Sequence, residues 1–337
     1  MHQILLSQTY QTVNKLWQRT LSIPSDIALF ISNLEVVEDS ILLPRYQKSI
    51  LEYQPLLNSL SSEESKIVQE LEQYGVSITT LEELAIPNSD YFFQAAENIS
   101  QELKQNAQHP LYKDKHTLTA DAEQMMRYPE LFLWGADVKL LRIVESYLKL
   151  PVAYDGFSYY YAVADSNEVG PRKWHWDKED WQMIKVAVYI NDVDEDGGPF
   201  QFVTPSANEL LNKALRSKSL RKYKTAYSHE VEAILPEAMQ NNWHKSCTGK
   251  SGTVIFADTA RYFHRGKPPT KLDRSAVFFG YCSSQPRHPF FCGRSPLSEE
   301  ELRYMATLLP EETRDCVTWR DRLNGISRFV PKNRLQV

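Results

Sequence analysis

The chain predicts an α+β fold: a helical first third followed by a mainly β core of barrel or jelly-roll type. Two observations carry this. Capping signals and apolar residues at helical spacing recur before residue 150, and aromatic or β-branched runs with two-residue alternation take over after Pro151. The uneven connections between those short runs fit a barrel or jelly roll better than a regular sandwich.

In chain order, Ser61-Ser62-Glu63-Glu64 forms a capping box, in which a hydroxyl and a carboxylate satisfy backbone N–H groups at a helix start. Ile67, Val68 and Leu71 supply the apolar face, and Gly75 is the expected stop. Thr80-Leu81-Glu82-Glu83 repeats the capping signal. Helices are expected over 91–106 and 136–149, the latter from Leu140, Leu141, Val144 and Leu148. Strands are expected over 152–163, 183–192, 199–203, 253–257 and 276–282. In 183–192, Ile184, Val186, Val188 and Ile190 fall on one face and Lys185, Ala187 and Tyr189 on the other. The division predicted is a helical region over 1–115, acting as buttress or cap, and a β domain over 116–337. The basic strip 211–224 has helical spacing and reads as a solvated surface helix, or more sharply as a lid.

Composition narrows the function. The chain has 337 residues, 42% of them hydrophobic, and a net charge of -5, which gives no basic footprint for nucleic acid. The four cysteines, Cys247, Cys282, Cys292 and Cys316, contain no CxxC pair, which argues against a thiolate zinc site and a disulfide framework. No stretch approaches the roughly 20 apolar residues of a membrane span. With no basic leader before an apolar core, a cytoplasmic location is expected.

The chemistry concentrates in three segments. In WHWD (174–177), an extended backbone turns His175 and Asp177 to one side and Trp176 to the other. An HxD alone is weak in a chain with eight histidines. His264 follows a strand and a short connection 87 residues beyond Asp177, and a barrel can bring the two together. Two imidazoles and a carboxylate on one face of an octahedral ion leave positions open, as in non-haem iron(II) oxygenases. Arg274 precedes the apolar run 275–282, and its guanidinium can hold a carboxylate through two parallel hydrogen bonds.

Three segments resemble the phytanoyl-CoA dioxygenase-like branch of the iron(II)/2-oxoglutarate oxygenases: the HxD of His175 and Asp177, IKVAVYINDVDEDGGPFQFVTPSA (184–207), and HRGKPPTKLDRSAVFFGY (264–281). The likeness covers roughly residues 130–285, and departs from the family at Thr204-Pro205-Ser206-Ala207-Asn208, where a glycine and a histidine are usual. It implies a double-stranded β-helix, with His175, Asp177 and His264 as iron ligands. It also implies that Arg274 holds the distal carboxylate of 2-oxoglutarate, and it puts Trp181 near that cosubstrate. The carboxylate of Asp177 sets the chain apart from related halogenases, which have glycine or alanine there. The expected reaction is hydroxylation, or another C–H oxidation, of a small molecule, using O₂ and yielding succinate and CO₂.

Two rivals are a cupin-like metalloenzyme working as isomerase or hydrolase, and a non-catalytic ligand-binding barrel. His2, His109, His116, His229 and His288 are expected to be structural or exposed, with His244 less clear because it lies on the way back to the active rim. Asp192, Asp194, Glu195 and Asp196 are expected to form a solvated turn, since the full calcium-loop pattern is missing.

Overall fold

The computed structural model describes residues 23–215, 225–293, 295–323 and 330. His2 and most of the 211–224 strip lie outside them; of that strip, 211–215 end the helix Pro205–Leu215.

Several helix boundaries follow from local chemistry. Ser61 and Glu64 complete a reciprocal capping box at the start of Ser62–Tyr74, and the Thr80 hydroxyl accepts from the Glu83 N–H at 3.1 Å to open Leu81–Leu84. Gly75 ends the first of these helices at φ 78°. A side chain is excluded there twice over, because a Cβ would also lie 2.3 Å from the Tyr262 ring. The expected helices over 91–106 and 136–149 appear as Ser89–Ala107 and Val138–Leu148.

Among the described residues, nine strands form two antiparallel sheets: β1 (Val76–Thr80), β2 (Thr117–Thr119), β3 (Val152–Ala162), β4 (Ile184–Tyr189), β5 (Phe200–Val203), β6 (His244–Cys247), β7 (Thr253–Asp258), β8 (His264–Gly266) and β9 (Arg274–Ser283). The larger sheet runs β1-β7-β4-β9-β3-β2 and the smaller β6-β5-β8. Five strands match expected runs. β1, β2, β6 and β8 were not expected: each is short and, unlike the equally short but apolar β5, mostly polar, so it carries no apolar run. β1 pairs along its whole length with β7, so the N-terminal region supplies an edge strand as well as helices.

The large sheet buries both faces. Toward the helices it turns Ile184, Val186, Val188, Val254, Phe256, Val277 and Phe279, which pack with Leu71, Phe92, Ile99 and Leu140. Helices Glu299–Thr307 and Glu311–Val317 add Met305, Cys316 and Val317 to the same core. Each such large apolar side chain contributes about 1.5–3 kcal/mol through burial. Toward the small sheet it turns Ala187, Tyr189, Ile255 and Ala276, which meet Phe200, Phe202 and Cys247. The space beyond this second cluster holds the polar residues described next.

Candidate metal centre

Main-chain pairing brings the HxD to the distant histidine. His175 and His264 form an antiparallel bridge, each N–H donating to the other's carbonyl at 2.9 and 3.0 Å. Their rings lie 4.3 Å apart. β8 pairs on its other side with β5, so the 174–175 segment extends the small sheet. Asp177 is fixed by its N–H donating to the Thr259 carbonyl at 2.9 Å. As extended geometry requires, Trp176 turns the opposite way and packs on Phe263, ring centroids 4.1 Å apart.

One ligand atom from each of His175, Asp177 and His264 lies within 4.8 Å of the others. His264 Nε2 is 3.8 Å from Asp177 Oδ2, and both side chains are almost completely buried. The tautomers follow from hydrogen bonding: Nδ1 of His175 donates to the Lys173 carbonyl at 2.8 Å, and Nδ1 of His264 to the Tyr262 carbonyl at 3.1 Å. Each ring then keeps the lone pair of Nε2 for the site, the arrangement typical of metal-bound histidine. Burial, reinforced by the neighbouring His175 and only partly offset by Asp177, holds the His264 pKa well below its ordinary value, so the imidazole is neutral. Its Nε2 is buried without a hydrogen-bond partner. A bare lone pair aimed at a buried carboxylate and a second imidazole fits a divalent transition metal.

The three residues line a cavity of about 310 Å³ that also exposes Arg172, Lys178, Lys185, Phe278 and Arg274. Arg274 is 6% exposed. Its Nη1 donates to the Gly198 carbonyl and its Nε has no partner. Among the described residues no carboxylate pairs with it; the adjacent Asp273 is engaged by the Tyr161 hydroxyl and the Ala164 N–H. Burial pushes the guanidinium below its ordinary pKa, Tyr189 opposes this, and the positive charge of Arg172 adds to it. Arginine stays charged nonetheless, so a buried cation here calls for an anion. Gly266 makes the room, because a Cβ there would meet Arg274 Nη2 at 2.7 Å.

The structure does not bring Trp181 to this cavity. Asp180 accepts from the N–H groups of Trp181, Ser283 and Arg287 and from the Ser283 hydroxyl. That clamp turns Trp181 into a separate cavity of about 410 Å³, with Tyr46 at 5.8 Å and the Arg287 guanidinium 4.2 Å from the ring. Spacing from Asp177 alone carried no information about that turn. Arg265 points away from the metal centre, bonding Gln201, Glu168 and Ser228.

The remaining histidines have other surroundings. His116 pairs with Asp165 at 2.5 Å, His109 caps a short turn, and His229 stacks on Tyr227. His288 is buried, and His244 packs beside Trp243 with its pKa lowered by burial to about 4. Asp192, Glu195 and Asp196 pair with Lys250, Lys267 and Lys271, while Asp194 accepts from two turn N–H groups. Sequence reasoning passed over Lys185, whose Nζ lies 2.6 Å from Asp177 Oδ2. Its signal was a lysine on the interior face of an apolar strand.

No family model and no curated protein matches the chain. Solved structures similar to it include HygX from Streptomyces hygroscopicus with nickel and 2-oxoglutarate bound, at 15% identity over 67% of this chain and 88% of that one, TM-score 0.41. EctD from S. alaskensis in its apoform is 16% identical over 72% of this chain and 88% of that one, TM-score 0.44. SnoK, a non-heme alpha ketoglutarate dependent carbocyclase from nogalamycin biosynthesis, is 14% identical over 67% and 85%, TM-score 0.42. These likenesses assign no activity to this chain.

Proposed function

We propose that the protein is an iron(II)- and 2-oxoglutarate-dependent oxygenase built on a double-stranded β-helix of the phytanoyl-CoA dioxygenase-like kind. One observation carries this: a His-Asp-His constellation, with Asp177 and His264 buried and His175 half-buried, shares its cavity with the buried Arg274 guanidinium, which no carboxylate pairs among the described residues. In this reading His175, Asp177 and His264 hold the metal, and Arg274 holds the distal carboxylate of the cosubstrate. Iron, 2-oxoglutarate and O₂ would supply the oxidation of a C–H bond, with succinate and CO₂ as products.

The chain's own residues do the positioning. The carbonyls of Lys173 and Tyr262 fix the two imidazole tautomers, and the Thr259 carbonyl holds the backbone at Asp177. Arg274 lies against Gly266 and Gly198, so its fork is set before the ligand arrives. The rings of Phe200 and Phe278 add apolar surface to the lining. A cavity of this size suits a free small molecule, a specialised metabolite or amino-acid derivative. The helices Ser62–Tyr74 and Ser89–Ala107 act as a buttress, since they pack on the face of the large sheet opposite the cavity.

The test is an anaerobic titration of the metal-free protein with iron(II) and 2-oxoglutarate, following the weak visible charge-transfer band of a chelated 2-oxo acid. The band is expected in the wild type and lost in His175→Ala, with metal affinity falling more than about a hundredfold, beyond the loss usual for outer partners of metal ligands. Iron uptake without the band would favour a cupin-like isomerase or hydrolase. Binding of neither would leave a non-catalytic barrel.

A further inference from the structure

Lys185 is a charge that the proposed chemistry does not use. Alternation along β4 turns Ile184, Val186 and Val188 to the helices and leaves Lys185 facing the interior with Ala187 and Tyr189. A lysine placed there is costly unless it is paired. Its ammonium lies 2.6 Å from Asp177 Oδ2, with the two side chains 12% and 3% exposed. The same oxygen faces His264 Nε2 at 3.8 Å, and the positive charge of Lys185 acts on the His264 ring. One carboxylate oxygen is therefore shared between an internal cation and the place where a metal ion would be held.

We infer that Lys185 is a resident counter-ion that competes with the metal for Asp177, so the site binds a divalent ion less tightly than its three donors alone would allow. The inference rests on the metal centre proposed above. When an ion arrives, the ammonium either gives up Oδ2 or stays as a like-charged neighbour. Both cost affinity, and in a buried setting neither is screened by water. The opposing role is that Lys185 only holds Asp177 in place. The two roles predict opposite signs when the charge is removed: competition predicts tighter binding, and simple support predicts weaker binding.

The experiment titrates metal-free, full-length protein with manganese(II), without 2-oxoglutarate, and follows the free ion by electron paramagnetic resonance. Wild type, Lys185→Met, Lys185→Gln and Lys185→Arg are compared, each checked for folding by circular dichroism and thermal melting. The neutral variants are expected to bind manganese at least about fivefold tighter than wild type, the lower end of ordinary coupling between two binding events. Lys185→Arg is expected to keep the weaker affinity. Unchanged or weaker binding in a folded neutral variant, against a wild type that binds, overturns the inference and leaves the metal centre standing. A wild type that takes up no manganese overturns both.

Discussion

The two faces of the large sheet obey different rules. The face toward the helices is mainly apolar: Val186, Val254, Phe256 and Val277 are all fully buried in one hydrophobic cluster, and the polar groups on it, Ser275 and Asp258, accept hydrogen bonds from the Ser100 and Tyr147 hydroxyls of the helices. The face toward the small sheet begins the same way, with Ala187, Ile255 and Ala276, but toward the metal centre it carries Lys185 and Arg274. One side of each strand therefore serves stability, and the other trades burial energy for charges held in fixed positions. Substitutions on the two faces should fail in different ways.

The largest effect belongs to the helix side. Phe256→Ala leaves a cavity beneath the helices and is expected to cost about 3–5 kcal/mol of stability. Manganese affinity of the folded protein should remain that of wild type. Chemical denaturation paired with a metal titration checks both halves, and a change in metal affinity would mean the faces are not independent. On the cavity side, Arg274→Lys keeps the charge but loses the fork. It is expected to weaken 2-oxoglutarate binding by about 1.5–3 kcal/mol, roughly ten- to a hundredfold. Stability and metal affinity should scarcely move. Equal 2-oxoglutarate affinity in the two proteins would remove Arg274 from the cosubstrate site.

The same contrast explains what could be read in advance. The helix side was legible because period and burial coincide: Ile184, Val186 and Val188 announce a strand, and Ser61 with Glu64 announces a helix start. The residues of the metal centre were legible as types at a spacing, His175 with Asp177, then His264 and Arg274. Their meeting depends on β8 and the 174–175 bridge, which carry too few residues for a pattern. Lys185 was visible as a lysine on the interior face, but its contact with Asp177 needs the register of β4 against β7 and β9. Trp181 faces a different cavity from His175 and Asp177 because a buried carboxylate at Asp180, bonded to groups a hundred residues away, decides which way the chain turns.

That turn gives the smallest effect, a pH dependence on the cavity side. His288 clamps the segment after Asp177: its Nδ1 donates to the Lys178 carbonyl at 2.6 Å, and its Nε2 lies 3.0 Å from the Ser32 hydroxyl. Burial, with the charges of Arg287 and Lys178, lowers its pKa to about 3. An unfolded histidine titrates near about 6.5, so between these values unfolding takes up a proton, and stability falls as pH drops through that window. Asp180 acts oppositely. Burial pushes it up to about 6, so from there down to about 4 the folded state keeps a proton that the unfolded state releases, and stability gains as pH drops. His288→Asn keeps an N–H for the Lys178 carbonyl and removes the titration. Urea midpoints measured from pH 7 to pH 4.5 should decline in wild type, and should decline less, or rise, in the variant as the Asp180 contribution is left alone. Parallel declines in both proteins would mean that the proton taken up on unfolding goes to some other group than His288.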